Sequence, residues 1–391
     1  MQPVATSSHP LRWDIFCSVI DNYGDIGVTW RLARQLVQEH QQIVQLWVDD
    51  LTALAMMCPT TDTDLCDQTI EGVRIRHWQP NWQPVPPAEV TVEAFGCNIP
   101  DAYLNAMVSS PTPSLWLNLE YLSAEGWVEE CHGLPSKLTN NLQKYFFFPG
   151  FSPKTGGLLR EADVISRRDQ LQGNADAQRA YLASRGVFPQ LGAMTISLFS
   201  YESPQLASWL DELSRSHHPI CLLVPQGRVL ADLQRWLGVD PLRAGDHHSR
   251  GALDIDVLAF STQDDYDRLL WCCDFNIVRG EDSFIRAQWS GQPFLWHIYP
   301  QDEAVHLVKL QSFLDLYTQD LSETAKNALQ RLWLNWNNHE VLTSSWQELI
   351  VNWPELQRNA QQWCNLQIKK KNLAQTIVAF TQERLLCRSS I

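Results

Sequence analysis

A chain of 391 residues is about twice the size of one compact domain, and with 45% hydrophobic and 19% charged residues it can fill two cores and leaves little room for disorder. A formal net charge of -14 argues against a surface that tracks nucleic-acid phosphates, which depends on clustered Lys and Arg. Ten cysteines without a Cys-x-x-Cys pair, no basic-then-apolar leader and no apolar run of membrane-spanning length predict reduced thiols, a cytoplasmic chain and no membrane partner.

In chain order, Trp13 to Ile20 predicts a buried strand, and Val28, Leu32, Ala33, Leu36 and Val37 then recur at helical spacing through His40. Strands follow at Ile43 to Val48, Val73 to Trp78, Glu89 to Phe95 and Ser114 to Leu119, with helical stretches between them, the pattern of parallel βα units. FFFPGFSPKTGGLLR, Phe146 to Arg160, breaks any period and reads as a long loop near a domain boundary. Helix-forming residues continue to about Arg185. A second βα series then has strands at Ala193 to Phe199, Ile220 to Val224, Ile255 to Phe260, Phe275 to Val278 and Phe294 to His297. From Asp302 onward the chain reads as helical, and Leu373, Ile377 and Phe380 place one apolar face on a last helix that could return to the first domain. The expected domains are 1–180, with a returning helix at about 365–391, and 181–364. Lys369, Lys370 and Lys371 form the only basic run and read as solvated helix surface.

Open α/β sheets bind ligands beyond the carboxyl ends of their strands, which draws attention to Asp21-Asn22-Tyr23-Gly24-Asp25-Ile26-Gly27. Its two carboxylates, four residues apart, can converge on one cationic or hydroxyl group, and its glycines permit close backbone approach. The same residues are good turn formers and helix caps in any protein, and both readings stand at this level. Arg279-Gly280-Glu281-Asp282-Ser283 is a second strand-to-helix junction, able to offer N–H groups and a guanidinium to a diphosphate, or simply to cap a helix. Phe199 with Tyr201, and Phe260 with Gln263, fit a platform that stacks a base while an amide reads its edge; core packing explains a lone Phe as well. Asn118-Leu119-Glu120-Tyr121 ends the fifth strand and could line an interdomain cleft. There is no Gly-x-Gly-x-x-Gly at the first turn, no P-loop lysine, no Gly-x-Ser-x-Gly and no metal-binding histidine spacing, so no bound metal is expected.

The segments WDIFCSVIDNYGDIGVTWRLARQL, NLEYLSAE, FPGF with TGGLLRE, LFSYES and RGEDSFIRAQWSGQPFLWHIYPQ come in order along nearly the whole chain. In these the sequence resembles the bacterial protein-arginine rhamnosyltransferases of translation elongation factor P, the EarP family. The resemblance implies a GT-B fold of two Rossmann-like domains facing a cleft, with closure over it. It also implies inverting transfer of L-rhamnose from dTDP-β-L-rhamnose to an arginine of elongation factor P, a modification that lets the factor rescue polyproline-stalled ribosomes. Carried over by motif, Asp25 is the general base, Asp21 and Glu281 are acidic partners, and Phe199, Tyr201, Phe260, Gln263, Arg279, Asp282, Ser283 and Tyr299 fall at donor positions. Two alternatives remain at this level: another GT-B transferase or epimerase, and a non-catalytic protein that holds a basic partner in an acidic cleft.

Overall fold

The apolar runs become parallel strands of two sheets, one in each of two units. The structure, a computed structural model, describes residues 9–20, 23–79, 85–112, 114–137, 142–342 and 344–389. The first unit runs to Ala162 and takes up the chain again from Lys370; the second is Asp163–Lys369.

In the first unit β1 (Arg12–Cys17), α1 (Gly24–Gln38), β2 (Ile43–Val48), α2 (Leu51–Met57), β3 (Asp67–Ile70) and β4 (Val73–His77) build one half of an eight-stranded sheet. Then β5 (Val90–Ala94), α3 (Asp101–Ser109), β6 (Leu115–Leu119), α4 (Val128–Cys131), β7 (Pro135–Lys137) and β8 (Gln143–Phe147) build the other. The strand order is β3-β4-β2-β1-β5-β6-β8-β7, with only the outermost β3 and β7 antiparallel to their neighbours. The chain winds outward from β1 and then restarts beside it at β5, so the topological switch point lies between these two strands.

The second unit opens with α5 (Val164–Gln172) and α6 (Ala175–Ser184). It continues through β9 (Met194–Leu198), α7 (Leu206–Ser214), β10 (Ile220–Pro225), α8 (Leu230–Leu237), β11 (His247–Arg250), β12 (Leu253–Leu258), α9 (Gln263–Trp271), β13 (Phe275–Arg279), α10 (Glu281–Ser290) and β14 (Phe294–His297). Its sheet has the order β11-β12-β10-β9-β13-β14, and the switch point is between β9 and β13. Four helices follow: α11 (Val305–Tyr317), α12 (Glu323–Asn337), α13 (Ser345–Val351) and α14 (Trp353–Ile368). Of these, α11 and α12 close over β14 with aromatic side chains; buried Trp333 donates its indole N–H to Phe294 O at 3.1 Å, so a large ring is buried without stranding its polar atom.

The first division falls ahead of the expected residue 180. Polar residues of α5 decide its partner: Arg168 Nη1 donates to Trp289 O at 2.9 Å and Gln172 Nε2 to Ser290 O at 3.0 Å, tying α5 to the end of α10. The second division falls after Lys369 because α14 continues through Ile368.

The final helix α15 (Leu373–Ser389) belongs to the first unit, where it packs on α1 and β6. Leu373 and Ile377 are buried there, and the Phe380 ring meets Tyr145 and Phe147 edge-on, the apolar face read from the sequence. The loop after β8 is the seam for this return. Leu373 N–H donates to Leu158 O at 2.9 Å, Asn372 Nδ2 to Arg160 O at 3.0 Å, and Lys370 Nζ to Phe151 O at 2.5 Å. The three lysines therefore sit in the break between α14 and α15, not on a helix, and Lys370 is half-buried rather than solvated.

Gly157 has φ +75°, and a Cβ there would lie 2.4 Å from Lys371 O. Gly157→Ala is expected to cost about 1–3 kcal/mol, from the left-handed backbone and the backbone clash together, read as a fall in Tm.

Candidate active site

Both switch points carry the side chains singled out by strand-end position. In the first unit the chain leaves β1 through Ser18, Val19 and Ile20 and enters α1 at Gly24, so Asp25 lies in the first turn of the helix. The N-cap is Tyr23 and makes no side-chain cap hydrogen bond. Asp25 is 2% exposed and faces back toward the strand: its Oδ2 accepts from Ile20 N–H at 3.0 Å and its Oδ1 from the Tyr121 hydroxyl at 3.1 Å. Asp21 and Asn22 lie outside the described residues.

Tyr121 comes from the segment after β6, and its ring stacks on Phe95, which follows β5, with centroids 4.5 Å apart. Beside it Glu120 is half-buried, and burial raises its pKa, with Glu93 adding to the shift and Lys144 opposing it. Asp49, at the end of β2, steadies the β1 exit by accepting from Val19 N–H at 2.9 Å and from the Ser18 hydroxyl. The ends of β1, β2 and β6 thus bring Asp49, Asp25, Glu120 and the exposed Tyr121 ring to the same edge of the sheet.

In the second unit β13 ends at Arg279, and Gly280, with φ +69°, turns the chain directly into α10. Gly280 is itself the N-cap, so Asp282 and Ser283 stand inside the first turn, and the capping role open to them from sequence falls to a residue with no side chain. Asp282 Oδ2 accepts from Gln263 Nε2 at 3.1 Å, which joins the starts of α9 and α10. The buried Arg279 guanidinium lies 4.7 Å from the Phe199 ring centroid and 4.8 Å from that of Tyr201, within cation–π range of both. Phe199 meets Phe260 edge-on at 6.5 Å, and Tyr201 meets Tyr299 edge-on at 5.6 Å. Glu281, buried, opens α10.

Every predicted donor position therefore falls around the carboxyl ends of β9, β12, β13 and β14, while Asp25 is in the other unit. Arg228 and Glu202, which carry no motif in the sequence, lie in the same neighbourhood, as does His297, which is 1% exposed and edge-on to Tyr201 at 5.2 Å. Burial first, and then the charges of His339, Arg279 and Arg228, push the His297 pKa down to about 3, so the ring is neutral at physiological pH. Strand-end position was the signal that would have found Arg228, since it follows β10 by three residues.

Among the described residues, no group of three or more His, Cys, Asp or Glu side chains is placed to hold a metal ion, and no helix is long and apolar enough to cross a membrane.

Two Rossmann-like α/β units, each with polar and aromatic side chains gathered at its switch point, and a last helix that returns to the first unit, make up a GT-B fold. The sequence model of the elongation factor P rhamnosyltransferase family EarP matches residues 13–382. The chain belongs to this family, and with it to the protein-arginine rhamnosyltransferases. Proteins of that name from Pseudomonas putida and Pseudomonas aeruginosa are 57% and 53% identical to it, over 95% and 94% of this chain and 99% and 98% of theirs. A solved structure described as the structural basis for EarP-mediated arginine glycosylation of translation elongation factor EF-P is similar at a TM-score of 0.70 and 44% identity, covering 95% of this chain and 99% of that one.

Proposed function

We propose that the chain moves L-rhamnose from dTDP-β-L-rhamnose to an arginine guanidinium of translation elongation factor P, with inversion at the anomeric carbon, and so activates the factor for polyproline-stalled ribosomes. The acceptor is part of the translation apparatus, which makes the cytoplasm the place of action, and no metal ion takes part. Family membership supports the reaction class. The observation that carries the mechanism is the buried Asp25 carboxylate, held at the β1 switch point by Ile20 N–H and the Tyr121 hydroxyl.

An arginine side chain is protonated and delocalised, hence a poor nucleophile. Carboxylates remedy both faults: Asp21 and Glu281 bind the guanidinium by charge-assisted hydrogen bonds, and Asp25 takes the proton. As one guanidinium nitrogen bonds to the anomeric carbon, the carbon–oxygen bond to the diphosphate breaks. The electron pair departs with dTDP, and the nitrogen's proton passes to Asp25. The developing diphosphate charge is met by Arg279 and the first-turn N–H groups of α10, near Asp282 and Ser283. Phe199, Tyr201, Phe260, Gln263 and Tyr299 hold the nucleotide and sugar.

Incubation with dTDP-L-rhamnose and elongation factor P, followed by peptide mass spectrometry, is expected to show one deoxyhexose on an arginine of the factor. An unmodified factor after prolonged incubation with active donor would remove the reading.

A further inference from the structure

The strand ends of the second unit hold a second guanidinium beside Arg279. Arg228 follows β10, and its guanidinium carbon lies 5.5 Å from the centroid of the Tyr201 ring that Arg279 approaches at 4.8 Å. Two arginines from different strands therefore address one aromatic ring. The approach is enforced locally, because a Cβ on Gly227 would lie 3.1 Å from Phe199 Cε2, so the end of β10 runs close against the Phe199 ring.

Arg228 is engaged by Glu202, the residue after Tyr201, whose Oε2 lies 2.7 Å from Arg228 Nε. The two side chains are 45% and 43% exposed, and an ion pair this open contributes about 0–1 kcal/mol, so an incoming anion displaces the carboxylate at small cost. Burial raises the Glu202 pKa, but the Arg228 hydrogen bond and the charges of Arg228 and Arg279 bring it below the ordinary carboxylate value, so Glu202 is ionised at neutral pH. With His297 neutral, Arg228 and Arg279 supply fixed positive charge beside Tyr201, and Glu202 pairs with the first of them.

We infer that Arg228 is a second diphosphate-binding residue of the donor site, and that Glu202 is a built-in competitor that occupies it until the diphosphate arrives. The inference rests on the reading of this unit as the nucleotide-sugar site. A diphosphate presents more charge than one guanidinium can match, and the planar fork of arginine suits bidentate contact with phosphate oxygens. The exchange of Glu202 for diphosphate leaves Arg228 paired in both states.

Calorimetric titration of the full chain with dTDP, and ligand-observed NMR with thymidine, test it. Arg228→Ala is expected to raise the dTDP Kd by about 10-fold, the loss of one hydrogen bond to a charged group, and to leave thymidine binding unchanged. Glu202→Gln is expected to act in the opposite direction and lower the dTDP Kd by about 2- to 5-fold, the release of an exposed ion pair. Arg228→Lys should recover part of the loss.

Three outcomes overturn the inference. Unchanged dTDP binding in Arg228→Ala, with Arg279→Ala weakened, assigns Arg228 to the surface. Weaker dTDP binding in both Arg228→Ala and Glu202→Gln makes their pair a structural brace. Wild-type protein that binds no dTDP removes the nucleotide-site reading itself, a pattern distinct from the other two.

Discussion

Asp25→Asn is expected to lower rhamnosyl transfer by about 10²–10⁴-fold, the usual range for loss of a positioned proton acceptor, while the dTDP Kd stays within error of wild type. The substitution keeps shape and removes basicity. Its amide oxygen can still accept a hydrogen bond that the carboxylate receives, from Ile20 N–H at 3.0 Å or from the Tyr121 hydroxyl at 3.1 Å. If the amide nitrogen is turned toward Tyr121, the hydroxyl can rotate to accept. The fold should therefore tolerate the change, and a loss of turnover without a loss of donor binding reports on proton transfer. Single-turnover rates with pre-bound donor make the measurement, and an unchanged rate would strip Asp25 of its role.

Asp267→Ala should produce the largest loss of stability. Asp267 in α9 and Arg286 in α10 are both buried and form a two-armed pair, with Nε–Oδ1 2.8 Å and Nη2–Oδ2 2.5 Å. Removing one member strips a buried charge of its two-armed partner, a loss of about 3–5 kcal/mol, whereas replacing both by apolar side chains of similar volume is often close to neutral. Urea unfolding of Asp267→Ala and of the double substitution Asp267→Leu with Arg286→Met separates these cases. Equal destabilisation of the two would show that shape, not charge, holds the helices. The same helices begin with Gln263 and Asp282, which hydrogen-bond at 3.1 Å, so Asp267→Ala should also weaken dTDP binding.

Parallel strands such as β6, β10, β13 and β14 are legible because they are buried on both faces and read as short apolar runs. The antiparallel edges are not. In β3, DQTI, and β11, HHSR, the residues are exposed or half-buried and carry no apolar signal. The strand β8 was absorbed into the loop that follows, since its Phe147 is followed at once by Phe148, Pro149 and Gly150. Helices α5 and α6 read as helices, but their sequences do not say which sheet receives them, and for that reason the division falls ahead of residue 180.

At the candidate site, strand-end position alone pointed to Asp25 and Arg279. Whether Asp25 or Asp282 caps a helix could not be read from composition, because capping is decided by the backbone at Tyr23 and Gly280. The pairing of Arg228 with Glu202 joins residues from two strand ends and forms no sequence motif.

The return of α15 to the first unit also sets the order in which the molecule can be completed. The ribosome makes β1 and α1 first, yet Leu373, Ala374 and Ile377, which bury against that unit, emerge after the entire second unit has been synthesised. During elongation the faces of α1 and β6 that receive this helix wait uncovered. Of the two units, the one that carries Asp25 is started first and is the last to have its whole chain available.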